Sequence, residues 1–404
     1  MRALLPFLAS VAAAQTFQYR GFLETRGTLY PQSAANDTGR AVGEAILRWE
    51  GSWQANSSVK FHGSFDARTD THHQAERNVR LDWQDRSLRR PALSLRRASV
   101  VWNRGPITVE AGKQFIRWGK ADILNPTDRF APRDYLSVTD NDFLGVTAAR
   151  VTVEKGGNTL DAVSAPRFTP SRTPLLSQRW AVLPAQLENI PLIDEGSRLP
   201  GRTQFGLRWN HVGRGWEHAL VFYDGFHHLP LFNGELQPRP FALRFHRYHP
   251  HLRLYGGDLA VPLKWFTVKS ETAWFTSKTT TADEFLLWVV QLERTHGEWV
   301  FVGGYAGETV TARRSPIGFT PDRGLARAFL GRAGYTIDPR RGLAFEAAIR
   351  QYGHGVWVKS EYSQELTSSL RLSASLTMIR GRDTDFLGQF HRNSHGLFAI
   401  RYSF

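Results

Sequence analysis

Hydrophobic and polar side chains alternate at every second position along most of the chain. Because successive side chains of a β-strand point to opposite faces of its sheet, this period predicts strands. The runs 59–68 and 369–378 are clear examples. Many runs extend over about 9–12 residues, the length that a tilted strand needs to cross a bilayer. Strands of soluble proteins average about 5–6 residues, so the pattern predicts membrane-crossing strands with one apolar and one charged face.

The alternating runs can be counted along the chain. We place strand starts near Phe17, Gly43, Ser58, Leu93, Ile107, Val146, Thr159, Thr203, Trp216, Leu252, Phe266, Glu284, Trp299, Leu325, Leu343, Val356, Ser369 and Gly396. The runs near Leu93, Trp216 and Leu252 alternate poorly, so the prediction is a range of about 16–18 strands, within the size of porin barrels.

The connections between these runs alternate in length. Ala55–Ser57 and Asn103–Pro106 are short and turn-like, whereas Thr69–Ala92 and Gly119–Gly145 are long. Long extracellular loops and short periplasmic turns are the arrangement of outer-membrane barrels. The predicted fold is therefore all-β, a single antiparallel transmembrane β-barrel with a polar lumen.

The first fourteen residues have the pattern of a signal peptide. Arg2 supplies a positive charge, Ala3–Val11 is a short apolar run, and Ala12-Ala13-Ala14 precedes Gln15 as a small-residue cleavage site. The apolar run is too short to span a bilayer. We expect residues 1–14 to be removed on export and residues 15–404 to form the barrel.

The last predicted strand ends in an aromatic residue. Phe398, Ile400, Tyr402 and Phe404 share one face of it. This arrangement resembles the C-terminal signal that the barrel-assembly machinery reads. We therefore expect a bacterial outer-membrane location, with that machinery, the membrane lipid and lipopolysaccharide as partners.

The chain is basic, with 51 Lys and Arg against 37 Asp and Glu and a net charge of +14, and it contains no cysteine. A basic chain can indicate nucleic-acid binding, but no DNA-binding helix or zinc module is recognisable, so no nucleic-acid partner is expected. In an exported barrel, basic residues lining the lumen or facing lipopolysaccharide are the better explanation.

Charged side chains alternate with the apolar positions of the strands and so should line the lumen. The predicted lumen-lining residues are Arg48, Glu50, Lys60, Arg208, Lys269, Glu271, Arg350, Arg371 and Arg401. Basic side chains along a wide pore favour anions. Because both signs are present, a ladder of opposite charges that merely stiffens the wall remains the alternative.

The segment Gly112–Tyr135 leaves a strand and enters a loop with two X-Pro steps and several Asn, Asp and Thr residues, which favour a defined loop shape. We predict that it folds into the lumen, together with part of the segment Pro166–Arg202. The predicted constriction consists of Lys113, Arg117, Lys120, Asp128, Arg129, Arg133, Asp134, Arg167 and Arg172. An ordinary outward-facing loop is the alternative.

Catalytic patterns are lacking in the sequence. There is no Gly-x-Ser-x-Gly elbow, phosphate loop or His-Glu-x-x-His motif. The histidines cluster at His72-His73, His227-His228 and His246–His251, mostly in predicted loops, where solvated side chains are the simplest explanation. Ser394 and His395 are adjacent and would face opposite sides of a strand. No enzyme activity, cofactor or metal is expected.

Two short segments resemble a known group. Gly112-Lys113-Gln114, Arg117-Trp118-Gly119 and Asn125-Pro126-Thr127-Asp128, with Pro132-Arg133-Asp134, resemble a stretch in porin-like outer-membrane barrels related to the alginate-export group. Ala165–Arg172, followed by Arg179-Trp180, resembles a later loop of some members. The resemblance implies a barrel that passes a substrate such as an acidic polysaccharide.

The sequence thus favours a porin-like channel for diffusion or export of hydrophilic, preferentially anionic solutes or polymer. The alternatives are a plugged structural or assembly barrel that acts on surface polysaccharide and, less favoured, a barrel enzyme.

Overall fold

The computed structural model describes residues 16–122, 124–183, 187, 190–314 and 319–404. The expected signal peptide lies outside the described residues. In the described part of the chain, no helix is long and apolar enough to cross a membrane. The described helical segments are short, at Pro321–Gly324 and Gly388–Asn393.

Long strands follow one another along the described chain and form a single wall. They are β1 Thr16–Leu29, β2 Ala41–Gln54, β3 Val59–Asp70, β4 Leu93–Arg104, β5 Ile107–Gln114, β6 Val146–Lys155, β7 Asn158–Ala165, β8 Gln204–Gly213, β9 Trp216–Phe226, β10 His251–Pro262, β11 Thr267–Thr276, β12 Glu284–His296, β13 Trp299–Ala312, β14 Ala328–Asp338, β15 Arg341–Arg350, β16 Val356–Glu365, β17 Leu370–Arg380 and β18 His395–Ser403. The predicted starts agree with these bounds to within a few residues.

Each strand pairs antiparallel with the next, and β18 returns to β1. The closing register runs from Phe22 opposite Ser403 to Leu29 opposite Gly396. Because β18 pairs with β1, the sheet closes on itself, as a membrane barrel requires. The prediction of an all-β antiparallel barrel of about 16–18 strands is confirmed.

The two faces of the wall differ as the alternation predicted. Large apolar side chains stand exposed on the outer face, among them Leu23, Leu47, Phe61, Leu160, Phe205 and Phe345. Charged side chains point inward and form ion pairs, such as Arg48 with Asp66 and Arg401 with Glu24. The apolar exterior is the surface that a transmembrane barrel presents to lipid.

The connections are short at one end of the barrel and mostly long at the other. The long ones that matter below are L2 (residues 71–92), L3 (115–145), L4 (166–203), L5 (227–250), L7 (313–327) and L9 (381–394). At the same end L4 and L5 build a small sheet, in which Leu192–Arg198 pairs parallel with Phe241–Tyr248. The sequence did not predict a strand in L4, because its partner lies about fifty residues further along the chain.

L3 folds into the lumen and packs against the opposite wall. Ile116, Trp118, Leu124 and Phe130 of L3 belong to one buried apolar cluster with inward side chains of β9–β12, namely Val221, Tyr223, Leu252, Leu254, Ala273, Phe275, Phe285, Leu287 and Val289. These strands are therefore apolar on both faces in their outer halves. This explains the poor alternation near Trp216 and Leu252, because strands covered on both sides lose the period of two.

Candidate pore constriction

Glu271 on β11 is the main anchor of L3. Its carboxylate accepts the backbone N–H groups of Lys120 at 3.1 Å, Ala121 at 3.2 Å and Thr127 at 2.7 Å, and the Thr127 hydroxyl at 2.7 Å. Glu271 is 1% exposed. A single buried side chain of the wall thus satisfies several polar groups of the loop, and it fixes the middle of L3 across the lumen.

Further contacts hold L3 on both sides of this anchor. The Asp122 amide donates to Gln291 at 2.9 Å, and Lys269 lies 3.2 Å from the Asp122 carboxylate. Lys120 pairs with Glu217 at 2.6 Å and with Asp258 at 3.2 Å. The predicted constriction residue Lys120 is therefore neutralised by two carboxylates.

Asp128 shapes the loop from within. Its carboxylate accepts the backbone N–H groups of Trp118 at 2.5 Å and Gly119 at 2.6 Å. The Trp118 indole in turn donates to Asp161 on β7 at 2.8 Å. Gly206 on β8 makes room for this turn, since a Cβ there would stand only 2.5–2.6 Å from the rings of Phe130 and Trp118.

A network of ion pairs joins the base of L3 to β2–β4. Asp142 contacts Arg96 at 2.6 Å and Arg48 at 3.1 Å, and Asp66 contacts Arg48 and Arg68, each at 2.8 Å. The guanidinium groups around Asp142 hold the pKa of its carboxyl well below the usual range, against the opposing effect of burial. This side of the lumen is closed by paired charges.

The network continues into L2 and L4. Asp134 contacts Arg90 at 3.0 Å and Arg172 at 3.1 Å, and Asp85 contacts Lys113 at 2.6 Å and Arg172 at 2.9 Å. Burial opposes ionisation, but the two arginines keep the pKa of Asp134 far below its ordinary value. Lys113, Asp134 and Arg172 thus lie in the loop framework and do not line the cavity described next.

A cavity of about 740 Å³ separates L3 from the remaining wall. It extends from outer-loop residues such as His227 and Pro321 to Arg332 and Glu346, midway along their strands. One side is apolar and includes Leu252, Phe275, Phe285, Leu287, Leu330 and Trp357. The other side is L3 itself, with Asp122, Asp128, Arg129 and Arg133.

Most charges on the cavity wall are paired. Arg129 lies 3.4 Å from Asp322, Arg323 lies 2.8 Å from Asp283, and Arg350 lies 3.0 Å from Asp385. Arg133 donates to the Asn141 amide oxygen at 2.8 Å and stands 4.0 Å from the Phe143 ring centre. Within the described residues, Arg133 and Arg313 line the cavity with no carboxylate within 4.0 Å. They are the best-placed cations for an anion.

The remaining predicted residues lie at various depths. Arg117 is half exposed, 3.5 Å from Asp128 and 4.3 Å from the Phe143 ring centre. Arg167 lies outside the cavity, over the Trp83 ring. Arg208 pairs with Asp258, Glu50 with Arg20, and Lys269 also with Glu293. Lys60 and Arg371 have no carboxylate partner within 4.0 Å among the described residues.

His227 and His228 line the outer side of the cavity, and His249 lies beside them. His228 of L5 is 2.6 Å from the Thr169 carbonyl oxygen and 2.7 Å from that of Arg129, and so it joins L5 to L4 and L3. His249 Nδ1 is 2.9 Å from the His227 carbonyl oxygen. Burial lowers the pKa of His227 to about 3 and those of His228 and His249 to about 4. These side chains are built into the loops, in contrast to the expected solvated ones.

Sequence reasoning missed the apolar side of the cavity and most anchoring partners of L3. The double-faced apolar stretch Phe285–Val290 of β12 was the available signal, since one face of such a strand must be covered by something other than lipid. Among the described residues, no group of three or more His, Asp or Glu side chains is arranged to hold a metal ion.

Solved structures of similar fold are outer-membrane porins. The BenF-like porin from Pseudomonas fluorescens Pf-5 aligns over 97% of this chain and 98% of its own, with a TM-score of 0.55 and 12% identity. Acinetobacter baumannii OccAB4 aligns over 97% and 99%, with a TM-score of 0.56 and 8% identity. Pseudomonas aeruginosa OpdQ aligns over 97% and 98%, with a TM-score of 0.54 and 9% identity.

The chain therefore has the fold of these porin barrels over nearly its whole length. At such low identity the likeness concerns the fold alone. No family model matches the chain, and no curated protein is significantly similar to it in sequence.

Proposed function

We propose that this chain is a porin-like channel of the bacterial outer membrane, through which small hydrophilic solutes diffuse. The observation that carries the proposal is the cavity between L3 and β10–β16, which reaches from the outer loops to mid-barrel. The closed wall with an apolar exterior and the fold shared with porins support it. In this reading L3 narrows the lumen and sets the size limit.

The preferred solute is anionic. Six arginines and seven carboxylates line the cavity, so the lining as a whole does not strongly favour one sign. The acidic side chains are mostly engaged by arginines or backbone amides, whereas Arg133 and Arg313 stand without a carboxylate among the described residues. A modest anion preference follows, because an unpaired guanidinium attracts carboxylates and phosphates more strongly than a paired one.

Conductance of the refolded protein in a planar bilayer, under a KCl gradient, tests the proposal. Stable current steps with a reversal potential on the chloride side are the expected result. Current steps with no preference for chloride would support the channel but contradict its anion selectivity. Protein that shows β circular dichroism and heat-modifiable migration but passes no current would contradict an open channel.

A plugged barrel is the second candidate, because the ion-pair network of L2, L3 and L4 closes the lumen beside β2–β4. Such a barrel would act through its outer loops on surface polysaccharide. Deletion of residues 119–144 separates the two. Current that appears only after the deletion identifies L3 as a plug, whereas current before it identifies a channel.

Export of an acidic polysaccharide is the finer form of the proposal and rests on the resemblance of Gly112–Asp134 to the alginate-export group. Uronate oligomers that block the KCl current would support it. Outer-membrane lipid, lipopolysaccharide and the barrel-assembly machinery, acting on the strand that ends in Phe404, are the other proposed partners. The absence of enzyme activity, of a cofactor and of nucleic-acid binding remains a prediction.

A further inference from the structure

L2 carries a short arm, residues 79–83, that extends the barrel wall outward. Leu81–Asp82 pairs in parallel with Leu93–Ser94 at the start of β4. The pairing of β5 with β4 ends at Lys113 opposite Ala98, so this part of β4 has an edge that β5 does not cover. The arm occupies that edge, and its side chains follow the alternation of the wall.

The odd-numbered residues of the arm point to the outside of the barrel. Leu81 is in register with Leu93, Leu93 is opposite Ala67 of β3, and Ala67 shares its face with the exposed Phe65. Val79, Leu81 and Trp83 are 80%, 57% and 42% exposed. They therefore continue the lipid-facing apolar surface up to the outer rim of the barrel.

Arginines surround these apolar side chains. Arg167 of L4 lies over the Trp83 ring, 4.6 Å from its centre, and Arg86 donates to the Phe168 carbonyl oxygen at 3.0 Å. Burial and the positive charge of Arg167 lower the pKa of Arg86, whose hydrogen-bond acceptor Phe168 follows Arg167 directly in the chain. Arg77 donates to the Thr69 hydroxyl at 3.2 Å, on the outer face of β3.

The nearby carboxylates are engaged elsewhere. Asp82 accepts the backbone N–H groups of Gln84 at 2.7 Å and Asp85 at 3.2 Å. Asp85 turns inward to Lys113 and Arg172. Among the described residues, no carboxylate lies within 4.0 Å of the basic groups of Arg77, Arg86 or Arg167. The rim thus holds three cations beside an exposed apolar strip.

We propose that this patch (Arg77, Val79, Leu81, Trp83, Arg86 and Arg167) binds a phosphate-bearing glycolipid of the outer leaflet. The acyl chains lie against Val79, Leu81 and Trp83, and the phosphates meet the guanidinium groups of Arg86 and Arg167, whose planar forks suit phosphate oxygens. Exposed apolar side chains next to arginines that have no carboxylate partner among the described residues therefore match both the acyl chains and the phosphates of such an amphiphile. The inference rests on the proposed outer-membrane location.

Native mass spectrometry of the refolded full chain in detergent tests the site, with diphosphorylated lipid A as the probe. Wild type should retain lipid A, and the double variant Arg86→Gln/Arg167→Gln should bind it about tenfold more weakly. The matched control Arg104→Gln/Arg214→Gln changes two exposed arginines at the opposite end of the barrel, at the end of β4 and in the turn after β8, and should bind as wild type does. Heat-modifiable migration verifies folding of each variant.

Two further probes distinguish binding of the phosphorylated lipid from binding of its acyl chains alone or of free phosphate. Dephosphorylated lipid A should bind wild type as weakly as lipid A binds the double variant, and inorganic phosphate at millimolar concentration should not displace lipid A. Leu81→Asn, which leaves every arginine in place, should weaken lipid A binding as well. Equal binding by wild type and the double variant would overturn the site.

The outcome is distinguishable from that of the channel proposal. If wild-type protein conducts ions but binds lipid A and dephosphorylated lipid A equally well, the lipid-site proposal is contradicted and the channel proposal is supported. If wild-type protein retains lipid A and the double variant does not, but no current flows, the lipid-site proposal is supported and the channel proposal is contradicted.

Discussion

The carboxylate of Glu271 on β11 accepts both the backbone N–H and the hydroxyl of Thr127, each at 2.7 Å, and so connects the wall of the barrel to the loop that crosses its lumen. Thr127 is fully buried. Glu271 thus takes part, with the other wall residues that contact L3, in setting the width of the lumen at this level.

Replacement of Glu271 should release L3. Each hydrogen bond contributes about 0.5–1.5 kcal/mol, and Glu271→Ala removes all those that L3 makes with this side chain, so it should increase single-channel conductance and current noise. Glu271→Gln retains an acceptor oxygen and should have a smaller effect. Glu24→Gln, on β1 and paired with Arg401, is the matched control. Unchanged conductance and noise in Glu271→Ala would contradict the anchoring role.

Removal of the Phe130 ring should loosen L3 without unfolding the barrel. Phe130 is 1% exposed and meets Trp118 and Tyr223 edge-on, with ring centres 5.3 and 5.1 Å apart. Truncation of a buried phenylalanine costs about 3–5 kcal/mol. Phe130→Ala should therefore accelerate protease cleavage within residues 115–145. Phe329→Ala, which removes an exposed ring from the outer face, should leave that cleavage rate unchanged.

Anion preference should depend on Arg133 and Arg313, the cavity arginines that have no carboxylate neighbour in the described part of the chain. Arg133→Gln/Arg313→Gln should shift the reversal potential under a KCl gradient toward zero. Arg129→Gln should have a smaller effect than the double change, since Asp322 already compensates Arg129 at 3.4 Å. Arg214→Gln, at a turn far from the cavity, serves as the control. A reversal potential that stays at the wild-type value in the double variant would exclude these residues as the source of selectivity.

Acidification should loosen L5. His227 and His249 have pKa values of about 3 and 4 in the closed loops, below the ordinary value of about 6.5. Their contribution to loop closure is complete above about pH 6.5 and is lost as the pH falls toward 4, because the open loop takes up the protons. Arg129, Arg323 and His228 face His227 and oppose its protonation in the closed state.

Hydrogen exchange of residues 227–250 between pH 7 and pH 4.5, corrected for the intrinsic pH dependence of exchange, measures this opening. Protection should fall as the pH is lowered. His227→Asn/His249→Asn should flatten the response. Protection that is independent of pH in the wild type would show that these histidines do not control the loop.

The strands of the outer wall and their lipid-facing residues could be predicted from the sequence, because a lipid environment imposes one rule on every strand. A lipid-facing position must be apolar and its neighbour faces the lumen, so Phe61 and Phe65 alternate with Lys60 and Asp66. The strand bounds and the alternation of short and long connections follow from that rule. The last strand, with Phe398 and Ile400 on its outer face, follows it to the end of the chain.

The rule fails where L3 covers the inner face. Phe285, Leu287 and Val289 of β12 point into the barrel and belong to the buried apolar cluster that includes residues of L3. Leu286 and Trp288 point outward. An apolar residue on such a strand satisfies lipid and protein core equally well. The sequence therefore shows that the face is covered but does not show by which loop.

The chemistry at the constriction was likewise fixed by partners distant in sequence. The sequence indicated that Arg129, Arg133 and Arg172 belong to long loops of a barrel and that Lys113 lies where a strand runs into the first of these loops. Only the tertiary structure decided that Lys113 pairs with Asp85 and that Arg172 pairs with Asp85 and Asp134. Arg133, in contrast, lies beside the cavity with no carboxylate within 4.0 Å among the described residues. The physical reason is that alternation depends on the local surroundings of one strand, whereas the effective charge of a side chain depends on which opposite charge lies within about 4 Å of it.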